Sequence, residues 1–332
     1  MTLTRRHLIT RAAQATVAAS LPLATPLVRA QAREFRLGIL TPPGHPWNRT
    51  ALKVGETLKA ESNGRLTLSV FHAGQLGSEA AMLQQMQNGA LDMGWIMAAE
   101  LGSRVPAIGA ITAPFVVRST KQVAALVRHP VATGLFEALP RETGTIGLAW
   151  GITGMRVLFS TKDINGIPDL KGMKVRTIPA PVFRDFYSAM GAAPTPVPTP
   201  QAYDALANGQ VDALEADLEF SWNQRFDRVT KVLLTMNAQF MPVAALVSGR
   251  VWQGLPAADR DLITKVVRSA LAQQIDELVV NEPKLIEQFR AAPIPIKPVN
   301  VADAEAVARQ FDKIWLEKAP ILAELRKVGA TL

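Results

Sequence analysis

Apolar and polar residues alternate along some stretches of this chain and follow a helical period along others, and the order of these stretches predicts an α/β protein. Residues 34–40 (EFRLGIL) read as an opening strand, and residues 41–48 (TPPGHPWN) as a loop in which proline and glycine forbid regular structure. A helix is expected over about 49–62, stopped by Asn63-Gly64, and residues 65–71 (RLTLSVF) alternate as a second strand. Strand, helix, strand is the wiring of an α/β domain.

One pattern recurs about 120 residues apart. In the first copy Ser78 caps a helix that ends at Asn88-Gly89 and is followed by a strand over 93–97. In the second, Thr199 is expected as the cap with Pro200 at the first helical position, and the helix ends at Asn208-Gly209 before another strand. In each copy glycine supplies the left-handed residue that closes the helix. Two lobes of similar build explain the recurrence; a common α/β connection used twice explains it equally well. Residues 256–292 keep helical spacing with little interruption, apart from Pro283, and predict a helix long enough to bridge two small lobes. Beyond Pro293, Pro295 and Pro298 a last helical segment is expected over about 302–328.

Length and composition fit this picture, since 332 residues with 48% hydrophobic and 19% charged make a globular chain of about two domains. The N-terminus stands apart. Arg5, Arg6 and Arg11 precede a small-residue apolar run that ends in Ala30-Gln31-Ala32, which reads as an export signal cleaved after Ala32. Thr4-Arg5-Arg6-His7-Leu8-Ile9 resembles the twin-arginine motif. Four of the 36 basic residues (Arg5, Arg6, Arg11 and Arg29) leave with that signal, so only a small excess over the 28 acidic residues remains. That excess is too small and too scattered to suggest nucleic acid. The absence of cysteine excludes disulfides and thiolate chemistry.

Enzyme signatures are missing: there is no G-x-S-x-G, no H-E-x-x-H and no glycine-rich phosphate loop. His45, His72 and His129 are scattered and read as surface or capping residues, although His45 lies in the first βα loop, where α/β folds place ligands. In residues 211–222 (VDALEADLEFSW), Glu215, Asp217 and Glu219 would share one side of an extended chain and could bind hydroxyls or a hard cation. Equally, Asp217 or Glu219 caps a helix beginning near Phe220. Arg176 sits within an apolar strand over 173–178, and a buried guanidinium must have an anionic partner. That partner is either an internal carboxylate or the carboxylate of a ligand.

Three stretches, residues 71–94 (FHAGQLGSEAAMLQQMQNGALDMG), 169–215 (with DLKGMKVRTIPAP and YDALANGQVDALE) and 252–263 (WQGLPAADRDLI), resemble the solute-binding proteins of tripartite ATP-independent periplasmic (TRAP) transporters, the dicarboxylate-binding-protein (DctP) family. The resemblance implies an α/β fold of the periplasmic-binding-protein type, with two lobes, crossover hinge strands and a long helix spanning both. On it, residues 33–153 with 242–281 form lobe I, and residues 154–241 with 282–332 form lobe II. It implies a periplasmic receptor without catalysis or cofactor. Such a receptor holds a small organic carboxylate (a sugar acid or a related hydroxy or dicarboxylic acid) between the lobes and delivers it to membrane permease subunits. Arg176 matches the family arginine that binds the ligand carboxylate, and Gly154-Met155-Arg156 resembles the G-x-R that supplies a second basic contact. The position after the V-D-x-x-E glutamate, commonly Asn or Trp, is Ala216 here, which shifts polar recognition to Asp217 or enlarges the pocket. Glu79, Trp95 and Glu100 are expected first-lobe contributors, Glu215 and Asp217 readers of hydroxyls or a cation, and Trp95, Phe220 and Trp222 apolar walls or plain core. A receptor presenting its ligand to a membrane sensor, and a metal-dependent lyase using Glu215, Asp217 and Glu219, are the alternatives.

Overall fold

The computed structural model describes residues 32–332; the export signal expected over residues 1–32 lies, but for its last residue, outside them. Among the described residues ten strands form the sheet structure: β1 (Arg33–Ile39), β2 (Leu66–Phe71), β3 (Met93–Met97), β4 (Thr145–Ser160), β5 (Lys174–Thr177), β6 (Ala193–Pro196), β7 (Ala213–Asp217), β8 (Val232–Thr235), β9 (Phe240–Ser248) and β10 (Ile296–Pro298). They fall into two groups of the same design. In one, β2, β1 and β3 run parallel and β3 pairs antiparallel with β9. In the other, β6, β5 and β7 run parallel and β7 pairs antiparallel with β4. These are the two lobes, and the recurring helix-to-strand pattern leads into β3 in one and into β7 in the other, at equivalent places in the sheets.

The long strand β4 belongs to both lobes. Residues 145–155 pair with β9 of the first lobe, whereas residues 156–160 pair with β7 and β8 of the second. The register shifts between Ile152 and Met155, where the strand passes from one sheet to the other. Opposite Ile152 stands Pro242, which has no N–H to offer. The Ile152 carbonyl accepts instead from Trp47 Nε1 (3.0 Å) and Gln274 Nε2 (2.9 Å).

Gln274 lies on the helix Ala257–Arg290, 34 residues long and about 50 Å from end to end at 1.5 Å per residue. Its first half buries Ile263, Val266 and Val267 in the larger, mainly first-lobe core, and near its far end Phe289 packs on Phe159 and Trp222 in the second-lobe core. The helix therefore spans both lobes and continues through Pro283.

Four local expectations change. The first helix starts at Pro46, not near 49, because proline fits the first turn of a helix and His45 Nδ1 accepts from Trp47 N (3.2 Å) as its cap. Thr199 does not cap the second repeat helix: residues Thr199–Gln201 form a 3-10 turn before the helix Ala202–Ala207, and the Thr199 hydroxyl accepts from Arg176 instead. The chain turns helical at Leu218, which breaks the expected acidic row after Asp217. The last helical segment divides into Val301–Lys318 and Leu322–Thr331, since Ala319 precedes Pro320 and leaves the helical region. The second of these helices packs on the segments Ala110–Thr112 and Thr120–Leu126, and Arg326 Nη1 donates to Pro114 O (2.6 Å).

Candidate ligand-binding site

A cavity of about 500 Å³ opens between the lobes. Leu40, Gly74, Glu79 and Met97 line it from the first lobe, and Ile178, Pro179, Pro198 and Thr199 from the second. These residues follow the carboxyl ends of parallel strands, the place where open α/β sheets hold ligands.

Arg176 stands immediately behind the Thr199 wall. It is the third residue of β5 and only 2% exposed, with Nε donating to Val197 O (2.9 Å) and Nη2 to Thr199 Oγ1 (3.2 Å). Two of its donors are thus spent on the loop between β6 and the second repeat helix. That loop can turn its oxygens inward because Pro196, Pro198 and Pro200 hold it extended. Nη1 has no hydrogen bond among the described residues. Burial, then the neighbouring Arg156, pushes the Arg176 pKa down to about 9, so the guanidinium stays charged at neutral pH.

Arg156 lies where β4 enters the second sheet, in register with Asp217. Its Nη2 donates to Glu215 O (2.7 Å), its Nε lies 2.8 Å from Glu215 Oε1, and its guanidinium rests over the Phe183 ring at 5.6 Å. Glu215, 1% exposed on β7, feels burial pushing its pKa up and Arg156 and Arg176 pulling it down. Burial prevails. The interior therefore holds two guanidinium groups for one carboxylate whose own ionisation is disfavoured, an excess of positive charge that an anion would offset.

The remaining expected residues separate by position. Glu79 and Glu100 both line the cavity. Glu79 Oε1 accepts from Met97 N (2.7 Å), and burial raises its pKa to about 8, with Glu100 adding to the effect. Glu100 is likewise raised by burial, against the pull of Arg104. Asp217 caps the helix Leu218–Asn223 by accepting from Phe220 N (2.9 Å), and Glu219 pairs with Arg49 on the surface (3.1 Å). Glu215, Asp217 and Glu219 therefore do not converge, and no group of three or more metal-binding side chains occurs among the described residues. Phe220 and Trp222 pack on Phe226 and Phe289 as second-lobe core, away from the cavity lining. Trp95 is buried in β3 and does not line the cavity either; its Nε1 has no partner among the described residues. His45 is a helix cap, and burial lowers its pKa to about 4.

Residues 37–319 match the model of the bacterial extracellular solute-binding protein family 7 (DctP). The chain belongs to this family. Among similar proteins are the sialic acid-binding periplasmic protein SiaP of Vibrio cholerae, 26% identical over 80% of this chain and 83% of its own, and the 2,3-diketo-L-gulonate-binding periplasmic protein YiaO of Escherichia coli, 24% identical over 89% and 91%. Among solved structures, a TRAP periplasmic solute-binding protein of Bradyrhizobium with bound α/β-D-galacturonate superposes with a TM-score of 0.83 at 26% identity, over 90% of this chain and 100% of that one. Another, from Polaromonas with D-erythronate, gives 0.80 at 25%, over 88% and 98%. This TRAP solute-binding protein thus has the two-lobed α/β fold of its relatives.

One residue at the charged cluster carried no mark in the sequence reading. Tyr187, fully buried on the helix Pro181–Ala189, lies one turn after Phe183, and its hydroxyl has no hydrogen-bond partner among the described residues. Burial and the nearby Glu215 raise its pKa well above the usual phenol value, so it remains a neutral donor. The signal available was the i, i+4 pair Phe183 and Tyr187, which puts a polar tip on the buried face of a helix.

Proposed function

We propose that this solute-binding protein takes a small organic carboxylate, such as a sugar acid or a related hydroxy or dicarboxylic acid, into the cleft between its lobes, with Arg176 as the carboxylate anchor and Arg156 assisting. The supporting observation is the buried pair of arginines, Arg156 and Arg176, facing one carboxylate, Glu215. A ligand carboxylate restores charge balance there, and closure of the lobes over it strengthens the ion pair by excluding water. Glu100, and Glu79 as a neutral carboxyl, hydrogen-bond the rest of the ligand. The galacturonate and D-erythronate of the solved relatives carry the same carboxylate.

The receptor is non-enzymatic on this reading, is exported to the periplasm by the twin-arginine-type signal of residues 1–32, and hands its closed, loaded form to TRAP permease subunits. Its lobes divide at residues 33–153 with 242–281 and 154–241 with 282–332, of which the closing helix Leu322–Thr331 packs back against the first lobe. Calorimetry on Arg176→Ala and Arg176→Lys tests the anchor. Loss of one ligand contact to a buried charge predicts an affinity at least about a hundredfold lower for alanine, from a charge-assisted bond of about 3 kcal/mol. Lysine is expected to recover only part of it, because an ammonium lacks the planar fork. Unchanged affinity in folded Arg176→Ala would remove Arg176 from the site.

A further inference from the structure

The cavity wall limits the body of the ligand as Arg176 limits its charge. Leu40, Met97 and Ile178 present hydrocarbon, and Pro179, Pro198 and Pro200 present rings without an N–H. Four lining residues carry a polar side-chain atom. Two of these are already engaged: Ser78 Oγ accepts from Ala81 N (3.3 Å) as a helix cap, and Thr199 Oγ1 accepts from Arg176 (3.2 Å). Nearby backbone donors are engaged as well, with Ala73 N on Thr41 O (2.9 Å), Gly74 N on Ile39 O (3.3 Å) and Gly77 N on Gly74 O (2.8 Å). What remains on the lining residues is the hydroxyl hydrogen of Ser78 and of Thr199, the first-turn N–H groups of Glu79 and Ala80, one oxygen of Glu79 and the carboxyl of Glu100, few polar groups beside the hydrocarbon and proline surface.

A hexuronate carries hydroxyls around its whole ring. Closed into this space it would press several of them against proline and leucine, and each buried hydroxyl without a partner costs about 1–3 kcal/mol. A second carboxylate would meet Glu100 and find no lysine or arginine among the lining residues to balance it.

We infer that the cavity selects a monocarboxylate with an apolar body, aromatic or branched aliphatic, whose one further polar group, a hydroxyl, lies at the end remote from the carboxylate, facing Glu79 and Glu100. This rests on the proposed anchoring of a carboxylate at Arg176 and narrows its ligand class. A cavity of about 500 Å³ accommodates such a molecule, within the usual range for small-ligand sites.

Calorimetry of the purified protein against a size-matched set tests it: 3-phenylpropionate, 3-(4-hydroxyphenyl)propionate, 4-methylpentanoate, galacturonate and succinate. The expected result is tighter binding of the phenyl and branched acids than of galacturonate and succinate, by at least tenfold, with a negative heat-capacity change. The phenolic acid should bind more tightly than its phenyl counterpart, and Glu100→Gln should reduce that gain. Galacturonate or succinate binding most tightly overturns the inference but leaves the carboxylate reading in place. Equal affinity for the phenolic and phenyl acids overturns the role of the acidic wall. If no carboxylate in the set binds, both the inference and the reading it rests on fall.

Discussion

At the scale of single residues, the interior of the second lobe concentrates charge that the chain does not fully balance. Tyr187 borders that charge as a neutral donor, and Tyr187→Phe removes only its hydroxyl. The hydroxyl lies beside Glu215 without good hydrogen-bond alignment, so the variant should lose little thermal stability, while ligand affinity falls about tenfold if the phenol donates to the bound carboxylate. Thermal denaturation and calorimetry on the same preparation separate the two effects. Glu79 and His45 give opposite pH responses. The Glu79 pKa rises from 4.5 to about 8 on folding, so between those values the folded chain holds a proton that the unfolded chain has released, and this contribution to stability declines as pH rises from about 4.5 to 8. Glu79→Gln should flatten that decline. The His45 pKa falls from 6.5 to about 4, so its contribution is lost as pH drops through that window, and His45→Asn, which keeps a cap, should hold stability better near pH 4.5. Melting temperatures across pH 4 to 9 check both signs.

At the scale of elements, the passage of β4 between sheets depends on side chains that replace absent backbone partners. Gln274 gives Ile152 both a donor and an acceptor, and Glu282 accepts from Met155 N (3.0 Å) and from Thr120 Oγ1. Gln274→Leu keeps the volume but leaves Ile152 N unpaired, which should cost about 1–3 kcal/mol in denaturant unfolding. Much of this level was legible in the chain. The alternation of β1 and β2, the helix-to-strand recurrence and the long helix follow from periodicity and glycine placement, which are local properties. The strand carrying Arg176 was legible for the same reason, because a charged residue inside an apolar strand is conspicuous. What was not legible depended on distant partners. Thr199 reads as a cap in sequence, but Arg176, 23 residues earlier, claims its hydroxyl. Phe220 and Trp222 read equally well as pocket or core until Phe226 and Phe289 are placed against them. Tyr187 offers only the polar tip of a neutral side chain on the buried face of an amphipathic helix, a weak local signal beside that of a charged residue.

At the scale of the whole molecule, a cleft whose two walls come from different lobes makes the ligand a cross-link between them. Saturating ligand stabilises the closed form by mass action, about 2.7 kcal/mol at a hundred times its dissociation constant. The shared strand β4 has a further consequence, for how the molecule comes apart. Neither sheet is complete without its own portion of that strand, and the helix Ala257–Arg290 contributes to both cores. The two lobes are therefore mutually dependent in folding, and the unliganded protein should melt as a single cooperative unit with one calorimetric peak. A chain cut within β4 should yield fragments that fold only when recombined.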